Sequence, residues 1–268
     1  MDSIKKEKIL DLNSKIEISK VILRFALSTF KKPTIVWSAG KDSTVVLGIV
    51  KKLIEEENLK MPPALFIDHG DHYIETLELI DRVSNDWNFR LVRTRNDDVL
   101  DNVRDGKIKI SGLSDENRAE INKIGYTGDY FEYSLETEIG NHLLKTVAMK
   151  TAIKKYGFDA LITGVRWDEN SARSTEVFIS PRVNPEHVRV HPILTFLEKD
   201  IWKVMFDWNL PIHPKYREGF RSIDGIHDSK KVSNVPAWEQ NLEETSERAG
   251  RSQDKEGMME KLRALGYM

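Results

Sequence analysis

Short apolar runs alternate with longer segments of helical periodicity along most of this 268-residue chain. Strands are predicted at 34–37, 63–70, 89–95, 159–164 and 188–194. The first of them, TIVW, is a continuous apolar, β-branched run, which is typical of a strand buried on both faces of a parallel sheet. Apolar residues recur at helical spacing at 4–29, 45–58, 73–87, 142–157 and 197–208. This alternation predicts an α/β fold with an open, mostly parallel five-stranded sheet and helices on both faces.

The length is sufficient for one large domain, or for one domain with an appendage. From Lys215 onward the pattern becomes polar and irregular. We therefore expect a domain at 1–214 and a C-terminal extension at 215–268 that lies on it and contacts a partner or the substrate. A second polar stretch with several glycines, 96–129, predicts a loop or a mobile insertion.

Composition excludes several functional classes. The chain contains no cysteine, which excludes disulfides, iron–sulfur clusters, thiolate zinc sites and thiol nucleophiles within it. Its 41 Lys and Arg nearly balance its 43 Asp and Glu, so it lacks the general basic field that favours nucleic-acid binding. No apolar run approaches the ~20 residues that span a membrane, and the first ten residues lack the apolar stretch of a signal peptide. These features predict a cytoplasmic protein.

The motif SAGKDST, at 38–44, comes directly after the first predicted strand and directly before a helix. Gly40 allows the backbone to approach an anion, and exposed amides and the dipole at a helix start favour negative charge. Ser38, Ser43 and Thr44 add hydroxyl donors, and Lys41 adds a cation. The pattern predicts a phosphate or pyrophosphate site, although it is not a Walker A loop. The alternative is a glycine turn that binds no ligand.

Other polar residues follow the ends of the remaining predicted strands. Ligands of open α/β sheets bind outside the carboxyl ends of the strands. The expected site therefore combines 38–44 with 68–71, 164–173 and the residues from His191 onward.

SAGKDST resembles the Ser-x-Gly-Lys-Asp-Ser loop of the PP-loop ATP pyrophosphatases, in the branch that holds the phosphoadenylylsulfate (PAPS) reductases and the catalytic subunit of heterodimeric ATP sulfurylase. The segments 145–174, 188–202 and 245–268 resemble the sulfurylase subunit, including its C-terminal Ser-Glu-Arg-x-Gly-Arg tail. The resemblance spans nearly the whole chain, with gaps around 96–141 and 175–187. It implies an adenine-nucleotide α-hydrolase-like fold that uses ATP with Mg²⁺.

Two features depart from the sulfurylase pattern. Trp167 replaces the second Arg of an Arg-Arg-Asp motif, which removes one cation near the phosphates. The segment 213–225 is more similar to the reductase branch, where a related segment holds the sulfonucleotide; in that interpretation Arg217 and Arg221 would bind an extra phosphate.

The resemblance implies roles for individual residues. The residues expected to act on the reacting phosphate are Lys41, Arg166, Asp168 and Arg173. Those expected to bind ATP are Ser38, Gly40, Lys41, Asp42, Ser43, Thr44, Asp68 and Gly164. The candidates for the acceptor oxyanion are Lys145, Arg189 and His191. No metal site built by the protein itself is expected.

Each of these roles has a structural alternative. Asp68 fits a strand-end cap equally well, and residues 166–173 fit a surface ion-pair cluster, which would contribute little to stability. Lys145 fits a solvated helix lysine, and His191 fits a structural histidine.

The implied reaction is sulfate adenylylation, in which ATP and sulfate give adenylyl sulfate and pyrophosphate, with a GTPase subunit as partner. Another adenylyl transfer, such as AMP transfer to FMN, and a non-catalytic nucleotide-binding subunit remain open alternatives. Thiol-dependent PAPS reduction is disfavoured because the chain has no cysteine. The sequence alone neither identifies a partner chain nor excludes a homo-oligomer.

Overall fold

The computed structural model describes residues 10–170, 173–243 and 247. Its helices are α1 (Leu12–Thr29), α2 (Lys41–Glu57), α3 (Ile74–Asp86), α4 (Asp97–Asp101), α5 (Asp115–Lys123), α6 (Glu138–Asn141), α7 (Ala148–Tyr156) and α8 (Glu198–Asp207). Its strands are β1 (Pro33–Val36), β2 (Ala64–Ile67), β3 (Leu91–Thr94), β4 (Val103–Arg104), β5 (Lys107–Lys109), β6 (Tyr130–Glu132), β7 (Ala160–Ile162), β8 (Ile179–Val183) and β9 (Glu186–Val190). In the described part of the chain, no helix is both long enough and apolar enough to cross a membrane.

The main sheet has the order β3-β2-β1-β7-β9-β8, and all of its pairings are parallel except that of β8 with β9. The predicted α/β class and its mostly parallel sheet are confirmed. The chain builds β1, β2 and β3 toward one edge and then returns to place β7 on the other side of β1. Such a reversal of strand order creates a crevice at the carboxyl ends of β1 and β7, which is where ligands bind in open α/β sheets.

The sheet has six strands rather than the predicted five, because the edge strand β8 was missed. Pro181 lies in the middle of β8, and a proline within an apolar run argues against a central strand. An edge strand tolerates it, since one side of the strand needs no ladder bonds. β8 also ends before a tight connection to β9, in a region where the family resemblance has a gap.

The stretch 96–129 is not a loop, which corrects the prediction. It forms α4, β4, β5 and α5, and with β6 it builds a three-stranded antiparallel sheet in the order β4-β5-β6. Asp105 and Gly106 both adopt positive φ, 50° and 72°, as a type I′ turn between β4 and β5 requires. The strands of two or three residues are too short to show a periodicity.

The insertion has its own apolar core. Val99, Ile108, Ile121, Phe131 and Leu135 are all buried within one cluster, to which Leu143 of the following helical segment also belongs. We refer to residues 96–141 as the insertion below. Because this core is separate from that of the main sheet, the insertion stands as a compact unit beside the carboxyl ends of the strands.

Glu120 ties the insertion to the helical segment that follows it. Its carboxylate contacts the His142 ring at 3.0 Å and the Lys150 ammonium at 2.7 Å, and the His142 side chain is fully buried. Burial by itself raises the pKa of Glu120, but hydrogen bonds from His142, Lys123 and Lys150 hold that pKa well below its ordinary value.

Replacing Glu120 with alanine should lower the free energy of unfolding by about 3 kcal/mol, because it leaves the Lys150 ammonium and the buried His142 ring without their carboxylate partner. Urea denaturation measures this. Glu116→Ala is the matched control, since Glu116 is exposed on the same helix; equal losses for the two variants would contradict the assignment.

Candidate functional site

The SAGKDST loop forms the sharp turn from β1 into α2. Ala39 has a φ of 61°, and Gly40 is the N-cap of α2 without a side-chain cap bond. The Ser43 hydroxyl donates to the Gly40 carbonyl at 3.0 Å and accepts the Ser38 amide at 3.3 Å. The turn therefore points the first amides of α2 at the crevice, as an anion site at a helix start requires.

A cavity of about 290 Å³ lies at this crevice. Its lining includes many of the predicted residues, namely Ser38, Gly40, Lys41, Asp42, Ser43, Gly164, Lys145 and Arg173. The structure thus brings the ends of β1 and β7 together, and with them two groups of candidates that are more than 120 residues apart.

Gly164 is needed for this close approach. A Cβ atom at this position would lie 2.8 Å from both the carbonyl carbon of Asp42 and the amide nitrogen of Ser43. Real Cβ contacts are never this short. The backbone of the loop after β7 therefore packs directly against the backbone of the SAGKDST loop.

Lys41 is buried, with 1% of its side chain exposed, and lies among carboxylates. Its ammonium forms an ion pair with Glu247 and lies 3.4 Å from Asp42 and 3.8 Å from Glu198. Burial lowers the pKa of Lys41, but the attraction of Glu247, Tyr216 and Glu198 outweighs it, so the pKa lies above its ordinary value. The ammonium is therefore charged.

Arg166 is the second buried cation. Its guanidinium pairs with Asp42 and Glu247, and its Nε donates to Asp168 at 2.8 Å. Burial lowers the pKa of Arg166, whereas Glu247 and Asp168 raise it more, so the net pKa is above the usual range. Asp168 also accepts the amide of Glu198 at 2.8 Å, which fixes it at the start of α8.

Some predicted residues lie outside the lining of this cavity. The Thr44 hydroxyl accepts from the Trp37 indole at 3.1 Å, and Asp68 accepts the Gly70 amide at 3.0 Å. Arg189 donates to the Met149 sulfur at 3.5 Å, and His191 bonds the Thr163 hydroxyl at 2.6 Å. Thr163 does line the cavity, whereas His191 lies outside the lining and contacts it through this hydroxyl. Arg166 and Asp168 also lie outside this lining. The roles predicted for all the site residues stay predictions.

Lys145, the third candidate for the acceptor oxyanion, and Arg221, which the reductase branch would use for an extra phosphate, each form an ion pair with a carboxylate. The Lys145 ammonium pairs with Asp224, and both side chains line the cavity. Arg221 forms a forked pair with Glu198, with its Nη2 2.7 Å from the carboxylate. Arg221 is thus already bound to an internal carboxylate.

Trp167 stands where the sulfurylase pattern has an arginine. Its indole N–H donates to the Glu176 carbonyl at 2.8 Å, and its ring centroid lies 5.8 Å from that of Phe178.

Sequence reasoning missed two residues at the centre of the site. The Tyr216 hydroxyl accepts the Lys41 amide at 3.0 Å, at the N-terminus of α2. Glu247 reaches Lys41 and Arg166 from the C-terminal segment. The similarity of 245–268 to the sulfurylase tail covered Glu247 without indicating a role, and nothing in the sequence distinguished Tyr216.

His213 is a buried neighbour of the cavity, where its ring bonds the Thr76 hydroxyl at 2.8 Å. Burial lowers the pKa of His213 to about 4. The pKa of His187 is also lowered to about 4, by burial and by the nearby charges of Arg189 and Arg182. The unfolded chain protonates these rings below about pH 6.5, whereas the folded protein does so only near pH 4. Folding therefore favours the neutral rings.

Stability should accordingly fall as the pH drops from about 6.5 toward 4. From neutral pH to pH 5 the expected loss is on the order of 2 kcal/mol for each of the two histidines. Urea denaturation of the wild type and of His213→Gln across this range measures it, and the variant should lose less stability than the wild type. An equal slope for both proteins would refute the contribution of His213.

Comparison with known proteins gives the family. The family model described as the phosphoadenosine phosphosulfate reductase domain matches residues 32–231. The chain belongs to this family. The predicted membership of the PP-loop superfamily is therefore confirmed, and the family match covers the strands, the SAGKDST loop and the loop after β7.

Curated relatives carry the name sulfate adenylyltransferase subunit 2. The protein from Rhizobium sp. (strain BR816) is 27% identical over 227 residues, which cover 75% of this chain and 66% of that protein. The one from Brucella ovis is 25% identical, covering 92% of this chain and 94% of the relative. The first match thus spans slightly less than two thirds of its relative's length.

Solved structures share the fold. The PAPS reductase from Candida auris, in a phosphate complex, has a TM-score of 0.56 at 18% identity and covers 82% of this chain and 98% of its own. The FMN adenylyltransferase from Candida glabrata, in complex with FMN and an ATP analogue, has a TM-score of 0.60 at 19% identity and covers 90% and 74%. These likenesses concern the arrangement of the sheet and helices.

Proposed function

We propose that this chain acts on the α-phosphate of ATP and transfers the adenylyl group to sulfate, with release of pyrophosphate. The observation that supports this most is the pair of buried cations, Lys41 and Arg166, beside the start of α2 at the reversal of strand order. Two buried cations and a helix start stabilise a polyphosphate anion more than they stabilise a neutral ligand. The shared name of the curated relatives points to the same reaction.

In this proposal the β- and γ-phosphates of ATP bind the 38–44 loop, with Lys41 and Arg166 on their oxygens. An oxygen of sulfate attacks the α-phosphorus. A new O–P bond forms while the bond from the α-phosphorus to the bridging oxygen breaks, and its electron pair leaves with pyrophosphate. No proton has to move, so the chain supplies positioning and charge stabilisation rather than an acid–base pair.

The remaining groups of the cavity suit the other parts of the substrates. The apolar side chains of Val36, Ile67 and Ile223 offer a surface for the adenine ring. We assign the incoming oxyanion to Lys145 and Arg173, which line the same cavity. Asp168 holds Arg166 in place and is a positioning residue.

Mg²⁺ enters the proposal as the companion of the ATP phosphates, whose charge it would offset. Among the described residues no group of three or more His, Asp or Glu side chains is arranged to hold a metal. The Asp42 and Asp168 carboxylates at the site are already paired with Arg166. We therefore propose that the phosphate oxygens supply most ligands of the ion. That the protein builds no metal site of its own stays a prediction.

A partner subunit is proposed because the relatives are named as subunits of a larger enzyme. That this partner is a GTPase is proposed from the resemblance to heterodimeric ATP sulfurylase alone. The extension 215–268 is the segment that we propose contacts the substrate or that partner. We also propose a cytoplasmic location, on the sequence features given above.

Pyrophosphate release from ATP, measured with sulfate, molybdate, FMN or no acceptor, tests the function. Stimulation by sulfate or molybdate is expected. Stimulation by FMN alone would replace sulfate with a flavin acceptor. Tight binding of ATP without turnover under any condition, with the purified partner subunit present, would instead identify a non-catalytic nucleotide-binding subunit.

A further inference from the structure

Glu247 occupies the centre of the cation pair. Its carboxylate forms ion pairs with Lys41 through one oxygen and with Arg166 through the other. Only 6% of its side chain is exposed. Burial raises the pKa of this carboxyl, but the charges of Arg166 and Lys41 lower it far more, so the net pKa lies well below its ordinary value.

The Glu247 carboxylate receives the same kind of donors that a bound phosphate would receive. Two carboxylate oxygens accept from a guanidinium and an ammonium, which is how a phosphate oxygen pair would bind to the same two cations. The neighbouring amide donor is also taken, since the Lys41 N–H donates to the Tyr216 hydroxyl. Donors that the proposed function assigns to ATP are therefore satisfied by groups of the protein itself.

Glu247 differs from the other carboxylates around the two cations. Asp42 and Glu198 belong to α2 and α8, and Asp168 accepts an amide at the start of α8. Glu247, in contrast, lies beyond the last described helical turn, at Ala237–Glu239, and 206 residues after Lys41.

Glu247 also lies between two cavities. The first is the cavity of about 290 Å³ at the SAGKDST loop. The second cavity has a volume of about 450 Å³, and its lining includes Asp168, Glu198 and Arg221. Glu247 lines both. The first cavity alone is at the lower limit of small-molecule sites, roughly 300 Å³, so removal of the Glu247 side chain would connect it to additional space.

We propose that Glu247 is an internal competitor for the polyphosphate: its carboxylate holds the position of phosphate oxygens between Lys41 and Arg166, and ATP or pyrophosphate binds only when it leaves. This inference rests on the proposed phosphate-binding role of the loop. The carboxylate keeps the buried cations neutralised while the site is empty. The apparent affinity for pyrophosphate is then the intrinsic affinity multiplied by the fraction of molecules in which Glu247 has left the site.

Calorimetric titration with pyrophosphate at fixed ionic strength tests the proposal on Glu247→Gln. This variant removes the charge and keeps the shape, and it should bind pyrophosphate at least about tenfold more tightly than the wild type. Glu243→Gln is the matched control, because Glu243 lies four residues before Glu247 and lines the larger cavity, but its carboxylate forms an exposed pair with Lys199 of α8. Unchanged or weaker binding by Glu247→Gln, or an equal gain in the control, overturns the proposal.

Glu247→Asp provides a second variant in case the glutamine form does not fold. The shorter side chain keeps the charge but reaches the two cations less well, so its pyrophosphate affinity should lie above that of the wild type. Wild-type affinity in a folded Glu247→Asp protein overturns the proposal. Absence of pyrophosphate binding in the wild type and in all variants also overturns it.

The titration contains no acceptor, so it separates this inference from the proposed reaction. A gain in affinity without acceptor-stimulated turnover would leave the competitor role standing and remove sulfate adenylylation. Turnover with sulfate and no gain in affinity would do the reverse.

Discussion

Lys41→Ala is expected to reduce sulfate-stimulated pyrophosphate release by a factor of roughly 10²–10³, the usual effect of deleting one donor that stabilises charge in a transition state. The side chain is buried at the start of α2, and its ammonium is one of two cations at the proposed phosphate position. Steady-state measurement of kcat/KM for ATP checks this. A decrease of less than about threefold would contradict the assignment of Lys41.

Lys51→Ala is the control for this experiment. Lys51 lies on the same helix, where it forms an exposed pair with Glu55, and its loss should leave turnover unchanged. Lys41→Ala also leaves Glu247 with one buried cation fewer, which costs stability. The double variant Lys41→Ala with Glu247→Gln should recover part of that stability while turnover stays low, which separates catalysis from folding.

Gly164→Ala is expected to lower turnover roughly a hundredfold, because a displacement of about 1 Å at reacting groups has effects of this size. The added Cβ would come within 2.8 Å of two backbone atoms of the SAGKDST loop. Backbone cannot rotate away as a side chain can, so the loop itself must shift. We expect a cost in folding free energy of about 1–3 kcal/mol as well.

Paired assays of turnover and of urea denaturation check the Gly164 prediction. Gly112→Ala is the matched control: its Cβ would meet only the side-chain amide of Asn102, at 3.2 Å, in the insertion. That variant should keep wild-type turnover. Wild-type turnover in a folded Gly164→Ala protein would show that the close packing of the two loops is not needed for activity.

The insertion shows where local sequence reasoning is insufficient. Its strands contain two or three residues, so no run is long enough for a period-2 pattern to emerge. The Asp105-Gly106 pair was nevertheless a usable hairpin signal. The rest of the insertion depends on a core shared between Val99, Phe131 and Leu143, which only the folded chain assembles.

The SAGKDST loop, in contrast, is a feature for which local sequence reasoning was sufficient. Its strand, its glycine turn and its helix start are all set by neighbouring residues, and the exposed amides at the helix start, which we propose bind an anion, follow from that local geometry. The same holds for Gly157, which ends α7 with a φ of 68°, at the end of the helix predicted over 142–157. Where interactions span only a few residues, the pattern carries enough information.

The sequence by itself determined the α/β class, five of the six strands of the main sheet, and the position of the SAGKDST loop between a strand and a helix, because these depend on periodicity and short-range backbone chemistry. Only the tertiary structure decided which charges meet. Tyr216 and Glu247 reach Lys41 across 175 and 206 residues, while Arg189 and His191 lie behind the cavity lining rather than in it. Such pairings depend on how distant segments pack, since a side chain's partner and burial are properties of the folded chain and not of its neighbours in sequence.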